Sequence, residues 1–447
     1  MKKIPNLSLA FVLAGAALFT GCQKTQKSGE GQIELRVLNY FDITFANVSK
    51  EDASIWEPFL AANPDIKIVR EDLFNDPFHN KVEAYAAAGQ LPDVIYTWPS
   101  GRSTTLHTRK LLKDLTPLIR KDGLDKVLVA GALDGGGQGG GYVGELARAI
   151  TSSHAFYVNN EVLKDAGLSP AKTYAELKAQ VPMLRAKGCE TVIMANQDTW
   201  VMQSCLFSMV AGRFGGEDWE KKILSGQAKF TDPDFVNALK FIKTLYDDGV
   251  LSKSSLTTGY GDGIGQFAAN KSAYYIDGDW RIGAFITDFS TGQALISPDR
   301  QNNFQITIFP DIEGAKINKS TSGILGTGWG INASIPADSP REEAAWRLVK
   351  WLSGKEVQGF LLETGNITTP TRTDIDLASI RLEPLQVAGS NLAMQYSITT
   401  SVIDGVFVGP VYEPINYGLQ AIGMGTQIPE QVAQAAQKAL EAWKAGQ

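Results

Sequence analysis

Tyr40 and Phe41, Tyr96 and Trp98, Trp200, Trp280 and Trp329 all fall where short apolar segments end, and Asp42, Asp198, Asp277 and Asp279 stand beside them. A flat side chain covers the apolar C–H face of a sugar ring, while a carboxylate accepts hydrogen bonds from its hydroxyl rim. The mixture suits carbohydrate. One tryptophan alone is more often a core residue, but seven aromatics at the ends of predicted strands point to a surface that grips a ligand. The sharpest signal is Asp277-Gly278-Asp279-Trp280, because an Asp-Gly turn directly after a strand sets Asp279 and Trp280 at its rim. Trp329, between Gly328 and Gly330, reads equally as a ligand contact or a core residue, and Trp56, Trp346 and Trp351 lie on helical patterns and read as core.

The same carboxylates raise a catalytic alternative. A glycoside hydrolase needs two carboxyl groups about 5 to 9.5 Å apart across the scissile bond. Asp277 and Asp279 are two positions apart where the chain turns, and no second acidic pair supports them. The three histidines, His79, His107 and His154, are widely separated and form no HExxH or Cys/His spacing, so no metal site is expected. The glycine run at 135–141 lacks a preceding strand and a following helix, and neither GxxxxGK[ST] nor GxSxG occurs. No cofactor and no catalytic residue are expected. Cys189 and Cys205 are too few for a disulfide scaffold and are either paired or two buried thiols.

These residues must be positioned by a frame. Residues 33–38, 66–69 and 93–96 read as strands separated by helices at 51–62 and 77–89, a βαβαβ unit with a parallel sheet. The glycine run marks the expected first crossing to a second lobe, where 155–158, 191–194 and 272–276 read as strands and 173–184, 198–210 and 234–248 as helices, Thr173 capping the first of these. Residues 304–309 and 328–333 read as strands returning to the first lobe, and helices at 340–352, 355–363 and 429–445 close the body. Two α/β lobes joined by several connections enclose a cleft. Ligands in open α/β sheets sit beyond the carboxyl ends of the strands, where these aromatics fall.

Lys2 and Lys3 precede an apolar run at 7–18 that closes on Phe19-Thr20-Gly21-Cys22, the order of a secretion signal. Small residues before a cysteine resemble the lipobox at which a bacterial lipoprotein is cut and diacylated, here on Cys22. Residues 23–32 carry no large apolar side chain and read as a flexible tether. The formal charge of -6, without a block of like charge, argues against nucleic acid as a partner.

Three segments in order, Ala61-Ala62-Asn63-Pro64-Asp65-Ile66, Gly89-Gln90-Leu91-Pro92-Asp93-Val94 and Leu111-Leu112-Lys113-Asp114-Leu115-Thr116, resemble the first lobe of the sugar-binding lipoproteins of ABC importers. Phe156-Tyr157-Val158-Asn159 through Asp165-Ala166-Gly167-Leu168, and Lys271-Ser272-Ala273-Tyr274 leading to Asp277-Gly278-Asp279-Trp280, are similar to that family's second lobe. Arg185-Ala186-Lys187-Gly188 and Lys229-Phe230-Thr231-Asp232-Pro233 look more like its monosaccharide-binding branch. Gly141-Tyr142-Val143-Gly144-Glu145 departs from the usual Tyr-Gly-hydrophobic-Pro turn. The resemblance implies the type 2 periplasmic-binding-protein fold, with lobe I at 33–148 and 310–353 and lobe II at 149–309 and 354–447. It puts a sugar against Tyr40, Phe41, Asp42, Tyr96, Trp98, Trp200, Asp279 and Trp280, with Trp329 and Arg372 as further candidates. A monomer that hands its sugar to an ABC permease, anchored to the bilayer through Cys22, is expected; a secreted glycoside hydrolase or a sugar-sensing lipoprotein is the alternative.

Overall fold

The computed structural model describes residues 31–41, 48–98, 101–133 and 142–446. The expected signal, Cys22, most of the tether, Asp42 and the glycine run lie outside the described residues. Among the described residues no helix is long and apolar enough to cross a membrane.

Two sheets organise the chain. The first is built from β1 (Ile33–Tyr40), β2 (Ile66–Leu73) and β3 (Val94–Thr97), then β4 (Leu146–Ser152). The second contains β5 (Ala155–Asn159), β6 (Glu190–Ile193), β7 (Ser272–Asp277) and β8 (Phe304–Thr307). The chain returns to the first sheet through the long β9 (Ser320–Ile331), then adds β10 (Thr369–Pro370) and β11 (Ser397–Ser401). The first sheet runs β10-β4-β9-β3-β1-β2 with β11 beside β9, and the second runs β6-β7-β5-β8. β1 pairs in parallel with both β2 and β3, the expected βαβαβ arrangement.

The continuous apolar run of β5 has a direct cause. Phe156 and Val158 face a core packed by the helices Pro233–Asp247 and Gly409–Met424, whereas Ala155 and Tyr157 face a second core with Phe267 and Phe285. A strand buried on both faces shows no alternation. The first lobe has its own core, in which Leu35, Val37 and Ile95 meet Leu348 and Val349 of the helix Pro340–Leu352.

Three expectations change. The crossing falls after β4, which pairs antiparallel with β9 in the first sheet, so the chain leaves that lobe at Ser153 and His154 and not at the glycine run. Phe304–Thr307 does not return to the first lobe; it pairs with β5. The helix Lys355–Glu363 packs Val357, Leu361 and Leu362 into the first lobe's core, not the second. Cys189 and Cys205 are free thiols, Cys205 buried and Cys189 partly exposed.

Candidate functional site

Because β1 and β3 are parallel neighbours, with Val37 beside Val94 and Leu38 beside Ile95, their carboxyl ends open on the same edge. Tyr40 and Tyr96 stack there, ring centroids 5.8 Å apart and 16° from parallel, and Trp98 stands edge-on to both at 4.6 and 4.9 Å. The Tyr40 hydroxyl donates to Asn75 Oδ1 at 3.0 Å, which fixes its ring. Phe41 and Phe74 extend this wall.

The opposing wall grows from β7. Trp280 Nε1 donates to the Tyr260 hydroxyl at 2.7 Å, and the rings of Trp200 and Tyr260 lie 4.9 Å apart. Beneath them the buried Asp277 carboxylate accepts from the Tyr260 and Tyr275 hydroxyls at 3.2 and 2.6 Å, from Arg281 Nε at 2.8 Å and from the Gly278 amide at 2.8 Å. The Arg281 guanidinium also lies 3.5 Å from the Tyr260 ring centre. Burial, reinforced by Asp277, drives the Tyr260 and Tyr275 pKa values well above the usual phenol value, so both stay donors. Asp277 therefore organises the wall from below. The buried Cys205 thiol also points at it, 3.5 Å away.

Between the walls lies a cleft of about 340 Å³, of the size that encloses a small ligand. Arg102 from the first lobe donates through Nε to Asp404 Oδ2 of the second at 2.8 Å, and its Nη1 lies 2.8 Å from His79 Nε2. Burial, together with the Arg102 charge, pushes the His79 pKa down to about 3, leaving it neutral and able to accept that bond. Glu51 and Arg148 complete the polar lining near Tyr96.

Six of the expected residues, Tyr40, Phe41, Tyr96, Trp98, Trp200 and Trp280, thus meet in one cleft. Asp42 lies outside the described residues. Asp279 does not line the cleft: it is 3% exposed and turns inward to accept from the Ser152 amide at 3.0 Å and Thr368 Oγ1 at 2.6 Å. Trp329 is 1% exposed and packs behind Tyr96 in the first core, because inward-facing positions of a central strand have no route to the surface. Arg372 pairs with Asp374 and borders a separate groove with Trp351 and Lys350.

Tyr260, Arg148, Glu51, Arg102 and Asp404 are cleft residues that sequence reasoning passed over. Tyr260 had a signal in its flanking Gly259 and Gly261, and Arg148 in the alternation of Leu146-Ala147-Arg148-Ala149-Ile150. The other three lie on short helical turns whose positions depend on contacts distant in sequence. The three histidines serve packing and polar bonding: His107 lies 3.1 Å from Glu145, and buried His154 bonds the Cys205 carbonyl and accepts from the Phe309 amide. Among the described residues no cluster of His, Cys, Asp and Glu is arranged to hold a metal.

Residues 46–359 match the model of the bacterial extracellular solute-binding proteins. The chain belongs to that family. As a solute-binding protein it shares its fold with solved structures: one from work on xylan utilization by the thermophile Caldanaerobius polysaccharolyticus is 21% identical with a TM-score of 0.79, covering 91% of this chain and 99% of that one. A chitin oligosaccharide binding protein is 20% identical, TM-score 0.81, over 93% and 100% of the two chains. The maltose/maltodextrin-binding domain MalE from Bdellovibrio bacteriovorus, bound to maltotriose, is 17% identical, TM-score 0.69, over 92% and 100%. No curated protein matches. The solute-binding protein therefore has the expected type 2 periplasmic-binding-protein architecture, two α/β lobes about a cleft.

Proposed function

We propose that this solute-binding protein captures a monosaccharide or short oligosaccharide between its lobes and delivers it to an ABC permease while a lipid on Cys22 tethers it to the envelope. One observation carries the sugar assignment: two aromatic walls, Tyr40, Tyr96 and Trp98 on one lobe and Trp200, Tyr260 and Trp280 on the other, face the same cleft. Each wall suits one face of a pyranose ring. Binding between them favours the arrangement in which both walls touch the ligand, the differential affinity that a shift between open and closed states requires. The chitin-oligosaccharide and maltotriose ligands named for structural neighbours support the same ligand class.

The protein performs no chemistry on its ligand. Asp277 is engaged by four oxygen- or nitrogen-borne donors and Asp279 by two, so neither stands free to act as acid or nucleophile.

Purified residues 24–447 are tested by thermal unfolding against monosaccharides, short oligosaccharides, polyols and amino acids. A bound sugar at about 100 times its Kd stabilises the fold by about 2.7 kcal/mol and is recovered unchanged. A response only to a non-sugar overturns the ligand class, and consumption of the sugar overturns the binding role. The tether is tested separately: Cys22→Ser shifts the protein from the membrane to the soluble fraction, and retention in the membrane excludes the lipid.

A further inference from the structure

Two guanidinium groups line the cleft, and their situations differ. Arg102 has its charge met by Asp404. Arg148, half-buried on β4, makes no ion pair and has no hydrogen-bond acceptor among the described residues, and its Nε is buried without a partner. Its guanidinium lies 4.8 Å from the centre of the Tyr96 ring, at the end of the first aromatic wall. Arg148 is therefore a cation held beside the ring that would carry the sugar.

Glu51, a cleft-lining acid that interacts with Arg148, does not neutralise it. Burial pushes the Glu51 pKa up to about 7 even though Arg148 and Arg70 oppose the shift, so near neutral pH this carboxyl is protonated much of the time. Arg70 is occupied elsewhere, bonded to Asp52 and Asp72. A neutral sugar closing over Arg148 would satisfy its N–H groups while leaving a charge without a counter-charge in a space closed to water, which is unfavourable. A carboxylate on the ligand supplies both the acceptors and the opposite charge, and the guanidinium fork matches its two oxygens.

We infer that the captured saccharide is acidic, carrying a carboxylate of the uronic-acid type that pairs with Arg148 while its ring lies on Tyr96 and Trp98. This rests on the carbohydrate assignment above and narrows it. Arg102 cannot take the same role without surrendering Asp404, which would leave that buried carboxylate unpaired.

The test is calorimetric titration of the mature chain with matched pairs that differ only in the carboxylate: glucuronate against glucose, galacturonate against galactose, and the corresponding di- and trisaccharides. The acidic member of at least one pair binds about tenfold tighter or more, as expected for a charge-assisted bidentate contact, and the preference shrinks as salt rises. Arg148→Gln brings the acid-to-neutral ratio towards one, and Arg148→Lys recovers part of it; thermal unfolding confirms that each variant is folded. Neutral sugars binding as tightly as their acids, or a ratio that Arg148→Gln leaves unchanged, overturns the acidic ligand and leaves the sugar-binding role standing. If no saccharide of either kind binds, the carbohydrate assignment itself fails.

Discussion

Trp280 and Asp279 are adjacent, yet one faces the cleft and the other the interior. The indole of Trp280 folds back over Gly278, where an added Cβ would come within 2.3 Å of the ring, and its Nε1 is held by Tyr260. An anchored aromatic surface of this kind binds without first losing side-chain freedom. Trp280→Ala is expected to weaken sugar affinity by about 1 to 3 kcal/mol with little change in melting temperature, measured by titration and thermal unfolding side by side; unchanged affinity removes Trp280 from the site. The motif Asp277-Gly278-Asp279-Trp280 singled out this turn as a candidate site from sequence alone, and Trp280 does line the cleft. It placed both Asp279 and Trp280 at the rim; Asp279 instead turns inward, because its partners Ser152 and Thr368 lie 127 and 89 positions away and carry no local signal. Trp329 illustrates the same limit: glycine neighbours are compatible with a rim or a core strand, and only the pairing of β9 between β3 and β4 places it inside.

Asp279, which follows β7 of the second sheet, bonds to two segments of the first sheet, since Ser152 ends β4 and Thr368 precedes β10. Burial pushes its pKa up to about 7, against an ordinary 3.8, despite the bonds from Thr368 and the Ser152 amide. Between these two values the folded protein holds a proton that the unfolded chain has released, so this group's contribution to stability falls as pH rises. Buried His154 and His79, each pushed down to about 3, act in the opposite sense below about pH 6.5, and Glu51, raised to about 7, acts in the same sense as Asp279, so the total pH profile mixes these contributions. The difference between wild type and Asp279→Asn isolates that of Asp279: the variant should gain stability relative to wild type as pH rises from about 4 to about 7, read by denaturant unfolding at several pH values. A constant difference would show that Asp279 ionises normally. Helices were the most legible elements. The spans Pro340–Leu352, Lys355–Glu363 and Pro429–Ala445 match the expected ones, and Thr173 forms the expected cap, with Glu176 completing a capping box. Their signals are local, in caps and apolar periodicity. The lobe to which a helix docks is not local, which is why Lys355–Glu363 packs against the first lobe and not the expected second, and β4 carries only the short, weak alternation around Arg148, diluted by small side chains.

At the scale of the whole molecule, an ion pair reaches across the cleft. Arg102 comes from the turn after β3, and Asp404 from the short helix Ile403–Val406 that packs with the second lobe. Asp404 is 2% exposed, so parting the lobes would exchange this pair for two separately hydrated charges, and the balance is set by how well water replaces it. His79, held neutral beside Arg102 Nη1, brings no charge that competes with Asp404. Asp404→Asn keeps the shape while leaving the guanidinium without its counter-charge. The expected result is a ligand-free molecule that is more open, seen as a larger radius of gyration in X-ray scattering, and a sugar affinity reduced by about 1 to 3 kcal/mol. Saturating sugar should restore the compact scattering profile, because a ligand that touches both aromatic walls still favours closure. An unchanged profile and unchanged affinity would mean that the Asp279 bonds to Ser152 and Thr368 hold the lobes together without help from the ion pair. The double substitution Arg102→Gln with Asp404→Asn separates the two causes: recovery of the compact state relative to Asp404→Asn identifies the stranded positive charge, and not the lost attraction, as what drives the lobes apart.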